Sequence, residues 1–156
     1  MPLLTFQPLD EQSLAWASTL AVQAHEWSPI SQIVVTPQAI LEQPNSVWLA
    51  VYDVQALVGI VGFHGINWLD KSCHLAWGVL PQHRRNGYAT AIARQALDYA
   101  YKVYNLHRCV VETLTDGPSV AICQRAGMKA EGIHKAARWK HGEYKDAVTF
   151  ALVREA

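Results

Sequence analysis

The middle of the chain carries a pattern of hydrophobic and polar positions that predicts a strand, a turn and a helix in immediate succession. Residues 75–80 form an apolar run that ends at Pro81, which cannot donate to a sheet ladder and so marks the end of a strand. Residues 82–86 are polar, and small or apolar residues then recur at helical spacing, at Ala89, Ile92, Ala93, Ala96 and Ala100. We therefore expect a buried strand that leads through a turn directly into an amphipathic helix.

The same patterns along the whole chain predict a single α/β (α+β) domain, with a mixed, mostly antiparallel sheet of about seven strands and about four helices. The predicted order is β-α-α-β-β-β-α-β-α-β-β. The predicted strands cover residues 3–7, 46–52, 57–63, 73–80, 108–113, 128–139 and 144–153, and the predicted helices cover 11–24, 37–43, 89–104 and 119–126. Because a helix joins the fourth strand to the fifth, we expect these two strands to be parallel neighbours.

Size and charge narrow the class of protein. A chain of 156 residues, 51% hydrophobic and 17% charged, can bury one globular core. Thirteen basic residues balance thirteen acidic ones, which argues against a nucleic-acid or membrane-surface partner. No apolar run reaches the ~18 residues of a membrane span. The three cysteines lack CxxC spacing and the first residues lack the pattern of a secretory signal, so we expect a cytoplasmic protein with reduced thiols.

The turn after the central strand has the chemistry of an anion site. Arg84 and Arg85 are adjacent there, and Gly87 permits a backbone conformation that a side chain resists. A strand that leads straight into a helix directs unpaired N–H groups and the positive end of the helix dipole at one point. We therefore expect a phosphate or pyrophosphate at this turn. The turn lacks the Gly-Lys-Ser/Thr ending of a nucleoside-triphosphate loop, which argues against an ATPase or GTPase.

The segment RRNGYA at 84–89 resembles the (Q/R)-x-x-G-x-(G/A) signature of the GNAT superfamily of N-acetyltransferases. Downstream, DGPS at 116–119 followed by RAGM at 125–128 is similar to the family's N-x-x-S segment and the Gly-(Phe/Met) after it. The resemblance covers nearly the whole chain and is weakest before about residue 45. Its closest form is the ribosomal-protein N-terminal acetyltransferase (Rim-type) branch, on the basis of Gly59, Gly62, Glu131, Gly132, Gly142, Asp146 and the run 148–152.

This resemblance implies acetyl-CoA as the co-substrate. In such enzymes the parallel fourth and fifth strands splay apart, and main-chain groups of the fourth strand bond the pantetheine arm, which here implies Trp77, Gly78, Val79 and Leu80. The pyrophosphate would lie on the turn and the first helical turn, at Arg84, Arg85, Asn86, Gly87, Tyr88, Ala89 and Thr90. Asp116 and Ser119 would lie near the thioester. Asp116 stands where the family usually has Asn, and an aspartate cannot donate to a pantetheine amide.

Acetyl transfer needs a neutral amine, a stabilised oxyanion and a proton for the departing thiolate. Glu112, an isolated carboxylate in an apolar strand, is the preferred base or water-holding group; the alternative is a surface or ion-paired glutamate. His74 and His64 are the next candidate bases, or else structural histidines. Ser119 would hydrogen-bond the thiolate, or else only backbone. Cys123, at a position where the family often has a tyrosine acid, is either that acid or a core residue.

The main prediction is an N-acetyltransferase that moves an acetyl group from acetyl-CoA to a primary amine by direct attack in a ternary complex. A protein or peptide N-terminal α-amine is the expected acceptor, because deprotonation at pH 7 costs about 1 kcal/mol for an α-amine and about 5 kcal/mol for a lysine. The alternatives are a small-molecule amine, such as an amino acid, polyamine or aminoglycoside, and a catalytically silent acyl-CoA-binding module.

The expected partners are therefore acetyl-CoA and an amine, with no nucleic acid and no membrane, in a monomer or homodimer. The seven histidines are scattered without paired spacing, so no metal site is predicted. The resemblance implies that the loop after the first helix borders the acceptor, which assigns His25, Glu26 and Trp27 to the acceptor mouth, together with Trp68.

Overall fold

The computed structural model describes residues 1–24 and 44–155. In this part of the chain the strands are Thr5–Pro8 (β1), Val47–Asp53 (β2), Ala56–Asn67 (β3), Ser72–Val79 (β4), Arg108–Leu114 (β5), Lys129–Lys140 (β6) and Glu143–Val153 (β7). The α-helices there are Glu11–Ala24 (α1), Tyr88–Lys102 (α2) and Ser119–Arg125 (α3), with a 3-10 turn at Pro81–His83. The predicted α/β architecture is confirmed. The predicted helix at 37–43 and the loop residues His25, Glu26 and Trp27 lie outside the described residues.

The seven strands form one sheet in the order β1-β2-β3-β4-β5-β7-β6. The pair β4–β5 is parallel and every other pair is antiparallel, as the helical crossover between them predicted. The chain thus builds an antiparallel group from β1 to β4, crosses over through α2, and builds a second antiparallel group from β5 to β7. Among the described strands, the two groups are joined by the pairing of β4 with β5.

Helices cover both faces of the sheet. The buried side of α2 consists mainly of small residues, which let the helix lie close to the strands: Ala91, Ile92, Ala93, Ala96, Leu97 and Ala100. Cys123 of α3 belongs to the same core cluster. On the opposite face, Ala17 of α1 packs against Ile60, with Trp16 and Trp48 beside them. Within the described residues, none of the helices is long and apolar enough to cross a membrane.

Two glycines of β3 make room for their neighbours. A Cβ atom at Gly62 would collide with the indole of Trp48, whose Cδ2 would lie 2.7 Å away. A Cβ atom at Gly59 would collide with the carbonyl oxygen of Gly78 and lie 3.3 Å from Cδ1 of Ile92. Close packing therefore accounts for both glycines in the apolar run LVGIVGF: one lies beneath a tryptophan, the other beneath α2.

Candidate active site

The sheet opens between β4 and β5. These parallel strands pair at three positions, the last of which joins His74 to Val110. Beyond that point β4 stays paired with β3 as far as Val79, and β5 stays paired with β7 as far as Leu114. The two strands thus continue beside different partners, and a gap separates them. The splay expected between the fourth and fifth strands is present.

The edge of β4 directs backbone groups into this gap. The N–H of Leu80 donates to the carbonyl of Val58 on the β3 side, at 2.9 Å. Because successive residues of a strand direct their N–H groups to opposite edges, those of Val79 and Trp77 point towards the gap. The carbonyl of Val79 accepts a hydrogen bond from Nε of Arg84 at 3.1 Å, which fits this orientation.

This alternation divides the four residues that were predicted to bond a pantetheine arm. Trp77 and Val79 have the suitable orientation, whereas the N–H groups of Gly78 and Leu80 face β3. The carbonyl of Leu80 also accepts the N–H of His83 at 2.9 Å. Contrary to the prediction, the backbone of Leu80 is occupied within the protein itself.

The basic turn ends in an unpaired helix N-terminus. Arg85 has a φ of 62° and Gly87 a φ of 78°, both in the left-handed region, and α2 begins immediately afterwards. The N–H of Ala91 makes a backbone bond with the carbonyl of Gly87, at 3.1 Å. The N–H groups of the three preceding residues, 88–90, have no intrahelical partner because the helix begins there. No side chain of the described residues caps this end of α2, so the backbone provides an anion site.

Side chains hold the turn in place. The hydroxyl of Tyr88 donates to Oδ2 of Asp53 at 2.6 Å, which ties the start of α2 to the β2–β3 turn. This hydrogen bond and partial burial raise the pKa of Tyr88. Nδ2 of Asn86 donates to the carbonyl of His83 at 3.4 Å. Arg85 and Asn86 are exposed at the anion site, whereas Arg84 also braces the end of β4 through Val79.

Two candidate bases lie on one face of the sheet, on opposite sides of the gap. His74 pairs with Val110 across the strands, and Glu112 follows Val110 by two residues, so their side chains share a face. The face is the one that α1 covers, opposite α2 and α3. His74 is exposed. Glu112 forms an ion pair with Nη2 of Arg138, which reaches it across β7, so the ion-paired alternative applies to this glutamate.

His64 belongs to a stacked row of rings beside His74. Its ring centroid lies 5.5 Å from that of His74 and 6.2 Å from that of Trp48. Burial, followed by the charge of His74, lowers the pKa of His64 to about 4. Nε2 of His64 is buried without a hydrogen-bond partner among the described residues. His64 is therefore neutral near pH 7 and stacks against His74.

The residues expected near the thioester differ in their surroundings. Ser119 is half-buried at the first position of α3, beside the gap end of β5. Asp116 is exposed and forms a 2.8 Å ion pair with Nζ of Lys145, which lowers the pKa of Asp116. Cys123 is fully buried in the core, and this burial raises the pKa of its thiol to about 12. Cys123 is thus a core residue, and its burial and raised pKa argue against the acid role.

Arg138 is the residue that sequence reasoning missed. It follows an irregularity in β6 at which the pairing register with β7 shifts between His134 and Arg138. Asp146 holds this bulge, because its Oδ1 accepts the N–H of Ala136 at 2.8 Å and its Oδ2 pairs with Lys135 at 3.0 Å. A lone arginine in the final hairpin was the available signal, but nothing in the sequence connects it to Glu112.

The sheet thus opens between two parallel strands, and the open edge of β4 leads to a helix N-terminus that can bind an anion. A model of the acetyltransferase (GNAT) domain matches residues 3–129. The chain therefore belongs to the GNAT acetyltransferase family, which confirms the family predicted from the sequence. Within the described residues, no three His, Cys, Asp or Glu side chains converge as a metal ligand set.

Curated relatives are similar over part of their length. An uncharacterized N-acetyltransferase of Bacillus subtilis, YnaD, is 28% identical over 104 residues, which are 66% of this chain and 61% of the relative. The spermidine N(1)-acetyltransferase of Vibrio cholerae is 28% identical over 91 residues, 58% of this chain and 53% of the relative. The chain thus spans less than two thirds of these relatives. Neither likeness singles out the Rim-type branch.

Solved structures share the fold over almost the whole chain. The spermidine N-acetyltransferase of Vibrio cholerae, in complex with CoA and spermine, superposes with a TM-score of 0.82 at 21% identity, covering 96% of this chain and 95% of that one. A dodecameric form of the same enzyme superposes with a TM-score of 0.82 at 21% identity, covering 96% and 93%. At 21% identity this similarity shows the fold alone.

Proposed function

We propose that this protein transfers the acetyl group of acetyl-CoA to a primary amine of a small molecule, with polyamines as the first acceptors to test. The observation that carries the proposal is the gap between β4 and β5, next to the unpaired N–H groups at the start of α2. Family membership and the CoA complex of a protein with the same fold support the donor. Similarity to a spermidine acetyltransferase supports the acceptor class.

The donor fits these groups along its length. Its pyrophosphate would accept hydrogen bonds from the backbone at 88–90, with Arg85 and Asn86 beside it and the Thr90 hydroxyl within the same helical turn. Its pantetheine arm would bond the open edge of β4 at Trp77 and Val79. This arrangement directs the thioester towards the face that carries His74 and Glu112.

The chemistry that remains is proton transfer. A primary amine with a pKa of about 10.4 is almost fully protonated at pH 7, so its attack costs about 5 kcal/mol unless a base assists. Glu112 would hold the amine or a bridging water, with His74 across the gap as the second candidate base. Ser119 would donate a hydrogen bond to the departing thiolate. Acetyl-CoA supplies the activated acyl group.

A peptide α-amine is the second candidate acceptor, and the charges around the gap favour it. A polycation binds where carboxylates outnumber cations, yet three carboxylates near the gap are already paired: Glu112 with Arg138, Asp116 with Lys145, and Asp146 with Lys135. Lys145 is also shared with Glu143 at 3.0 Å, so four carboxylates meet three cations. Among the described residues, this group therefore carries only a small excess of the negative charge that attracts spermidine. A monoamine needs no such excess.

Thiol release from acetyl-CoA, followed with a panel of amines, separates these readings. Turnover of spermidine and spermine, with no activity on peptides, is the result expected from the main proposal. Activity on peptides with a free α-amine, and none on polyamines, would establish the second candidate. Tight acetyl-CoA binding without turnover on any amine would indicate a silent binding module. Failure to bind acetyl-CoA would overturn the proposed function altogether.

Glu112→Gln tests the base. We expect kcat to fall by about 10²-fold or more, with the alkaline-rising limb of the pH–rate profile depressed and the KM for acetyl-CoA little changed. Glu131→Gln is the matched control, because Glu131 also pairs with an arginine across β7, Arg108 at 2.5 Å, but does so at the end of β5 away from the gap. Equal losses in both variants would mean a structural role, and an unchanged profile in Glu112→Gln would leave His74 as the base.

A further inference from the structure

Two buried thiols face each other immediately before the gap. Cys73 of β4 and Cys109 of β5 are register partners in the middle of the three positions that join the two halves of the sheet. Their Sγ atoms lie 3.7 Å apart. Cys73 is 1% exposed and Cys109 is 4% exposed, on the core face of the sheet. The proposed acetyl transfer uses neither of them.

The geometry of this pair fits a disulfide. Neighbouring strands lie about 4.8 Å apart, which falls within the Cα separation of about 4.4–6.8 Å that disulfides span. The Sγ atoms must approach by about 1.7 Å to reach the bonded distance of about 2.05 Å, a movement that rotation about χ1 supplies. Cys123, the third cysteine, lies in α3 and contacts no other thiol of the described residues.

We propose that Cys73 and Cys109 form a redox-active dithiol that a hydroperoxide oxidises to an intramolecular disulfide. The thiolate of Cys109 attacks the peroxide oxygen and becomes a sulfenic acid while the O–O bond breaks. The departing alkoxide, or hydroxide for hydrogen peroxide, takes up the proton that the Cys109 thiol had released and leaves as an alcohol or as water. The sulfur of Cys73 then attacks the sulfenic sulfur, its proton leaves with the hydroxyl as water, and the S–S bond forms. One peroxide thus consumes both thiols, and a dithiol reductant reverses the step.

The surroundings give the two sulfurs different roles. The S–H of Cys73 donates to Sγ of Cys109, and this hydrogen bond, followed by the positive charge of Arg154, lowers the pKa of Cys109. The same hydrogen bond, together with burial, raises the pKa of Cys73. Cys109 is therefore the thiolate that attacks first, and Cys73 is the thiol that resolves the sulfenic acid.

The disulfide would link the two halves of the sheet covalently, at the place where β4 pairs with β5. Three register pairs connect the antiparallel group β1–β4 to the group β5–β7, and the disulfide would lie in the middle one. A covalent link there suppresses local separation of β4 from β5, which starts where their pairing ends. Oxidation should therefore slow amide hydrogen exchange at residues 72–74 and 108–110. This inference does not depend on the identity of the acceptor amine.

Treatment of the folded protein with hydrogen peroxide tests the proposal. We expect a loss of two hydrogens per chain by intact-mass measurement, a Cys73–Cys109 peptide after digestion, alkylation of Cys123 alone after unfolding, and full reversal by dithiothreitol. Cys123→Ser should keep this behaviour, whereas Cys73→Ser should abolish the mass loss and leave Cys109 as a sulfenic acid that a dimedone probe captures.

Three results would overturn the proposal. One is oxidation of Cys123 at the same rate as the pair, which would mean that the adjacency of the thiols confers no reactivity. Another is the absence of any disulfide at peroxide concentrations that oxidise thiols of the unfolded chain. The third is unchanged hydrogen exchange at 72–74 and 108–110 in protein that mass measurement finds fully cross-linked. None of these measurements involves acetyl-CoA, so a failure of this proposal can be distinguished from a failure of the proposed function.

Discussion

At the scale of single residues, Gly87 has the clearest consequence. Its φ of 78° lies in the left-handed region, where a β-branched residue is strained whatever the space around it. The N–H groups that follow it are the proposed pyrophosphate contacts. A change at this position therefore alters the direction of those groups without removing any packed side chain.

We expect Gly87→Val to weaken acetyl-CoA binding by about tenfold or more, because strain of about 1–3 kcal/mol re-aims the first turn of α2. Isothermal titration measures this directly. Gly142→Val is the control, since Gly142 has a φ of 80° in the β6–β7 turn, far along the chain from α2. Unchanged affinity in Gly87→Val, or an equal loss in both variants, would contradict the assignment of the pyrophosphate to this turn.

His64 makes the stability of the protein depend on pH. Burial beside Trp48 and His74 lowers its pKa to about 4, from about 6.5 in the unfolded chain, so the unfolded state binds more protons between these values. The stabilisation is complete above pH 6.5 and is lost as the pH falls towards 4, by up to about 3 kcal/mol. Urea titrations between pH 4 and 7 should show this slope, and His64→Phe, which removes the titrating group and keeps a ring in the stack, should flatten it. An equal slope in the variant would assign the effect to other groups.

At the scale of elements, the packing of β2 against β3 depends on the absence of a side chain at Gly62. We expect Gly62→Ala to lower the free energy of unfolding by about 1–3 kcal/mol, because the added methyl group meets the Trp48 indole. Gly132→Ala on β6 is the matched control, since no described atom lies within 4 Å of a Cβ there. Thermal unfolding of both variants is the measurement. Equal midpoints would mean that Trp48 moves aside without cost.

The sequence predicted best those elements whose structure is determined by residues close together along the chain. Periodicity defined α2 and β5, because the face that each element buries repeats along its own residues. The signature at 84–89 identified the turn, because consecutive residues form it. Neither could reveal the pair Glu112–Arg138, whose partners are 26 positions apart and meet only after a bulge redirects β6.

At the scale of the whole molecule, the donor would bind along β4 and the start of α2 and so stabilise the folded chain. Acetyl-CoA at 100 times its Kd should raise the free energy of unfolding by about 2.7 kcal/mol. Hydrogen exchange should slow at 75–79 and 88–90 and stay unchanged in β6. Pantetheine, which lacks the pyrophosphate, should protect 75–79 alone. Protection confined to any other region would place the donor elsewhere on the molecule.

The narrow joint between β4 and β5 also bears on the order in which the protein folds. Of the described strand pairs, β2–β3, β3–β4 and β6–β7 join strands that follow each other along the chain, whereas β1–β2, β4–β5 and β5–β7 each pair residues that lie more than thirty positions apart. The pairing of β4 with β5, which closes the loop through α2 between Cys73 and Cys109, is therefore one of three long-range pairings, the slower kind of folding event. The proposed catalytic gap begins at the shortest of these three pairings, with three register positions against four for β1–β2 and seven for β5–β7. We therefore expect proteases to reach the β4–β5 pairing first when the chain begins to unfold.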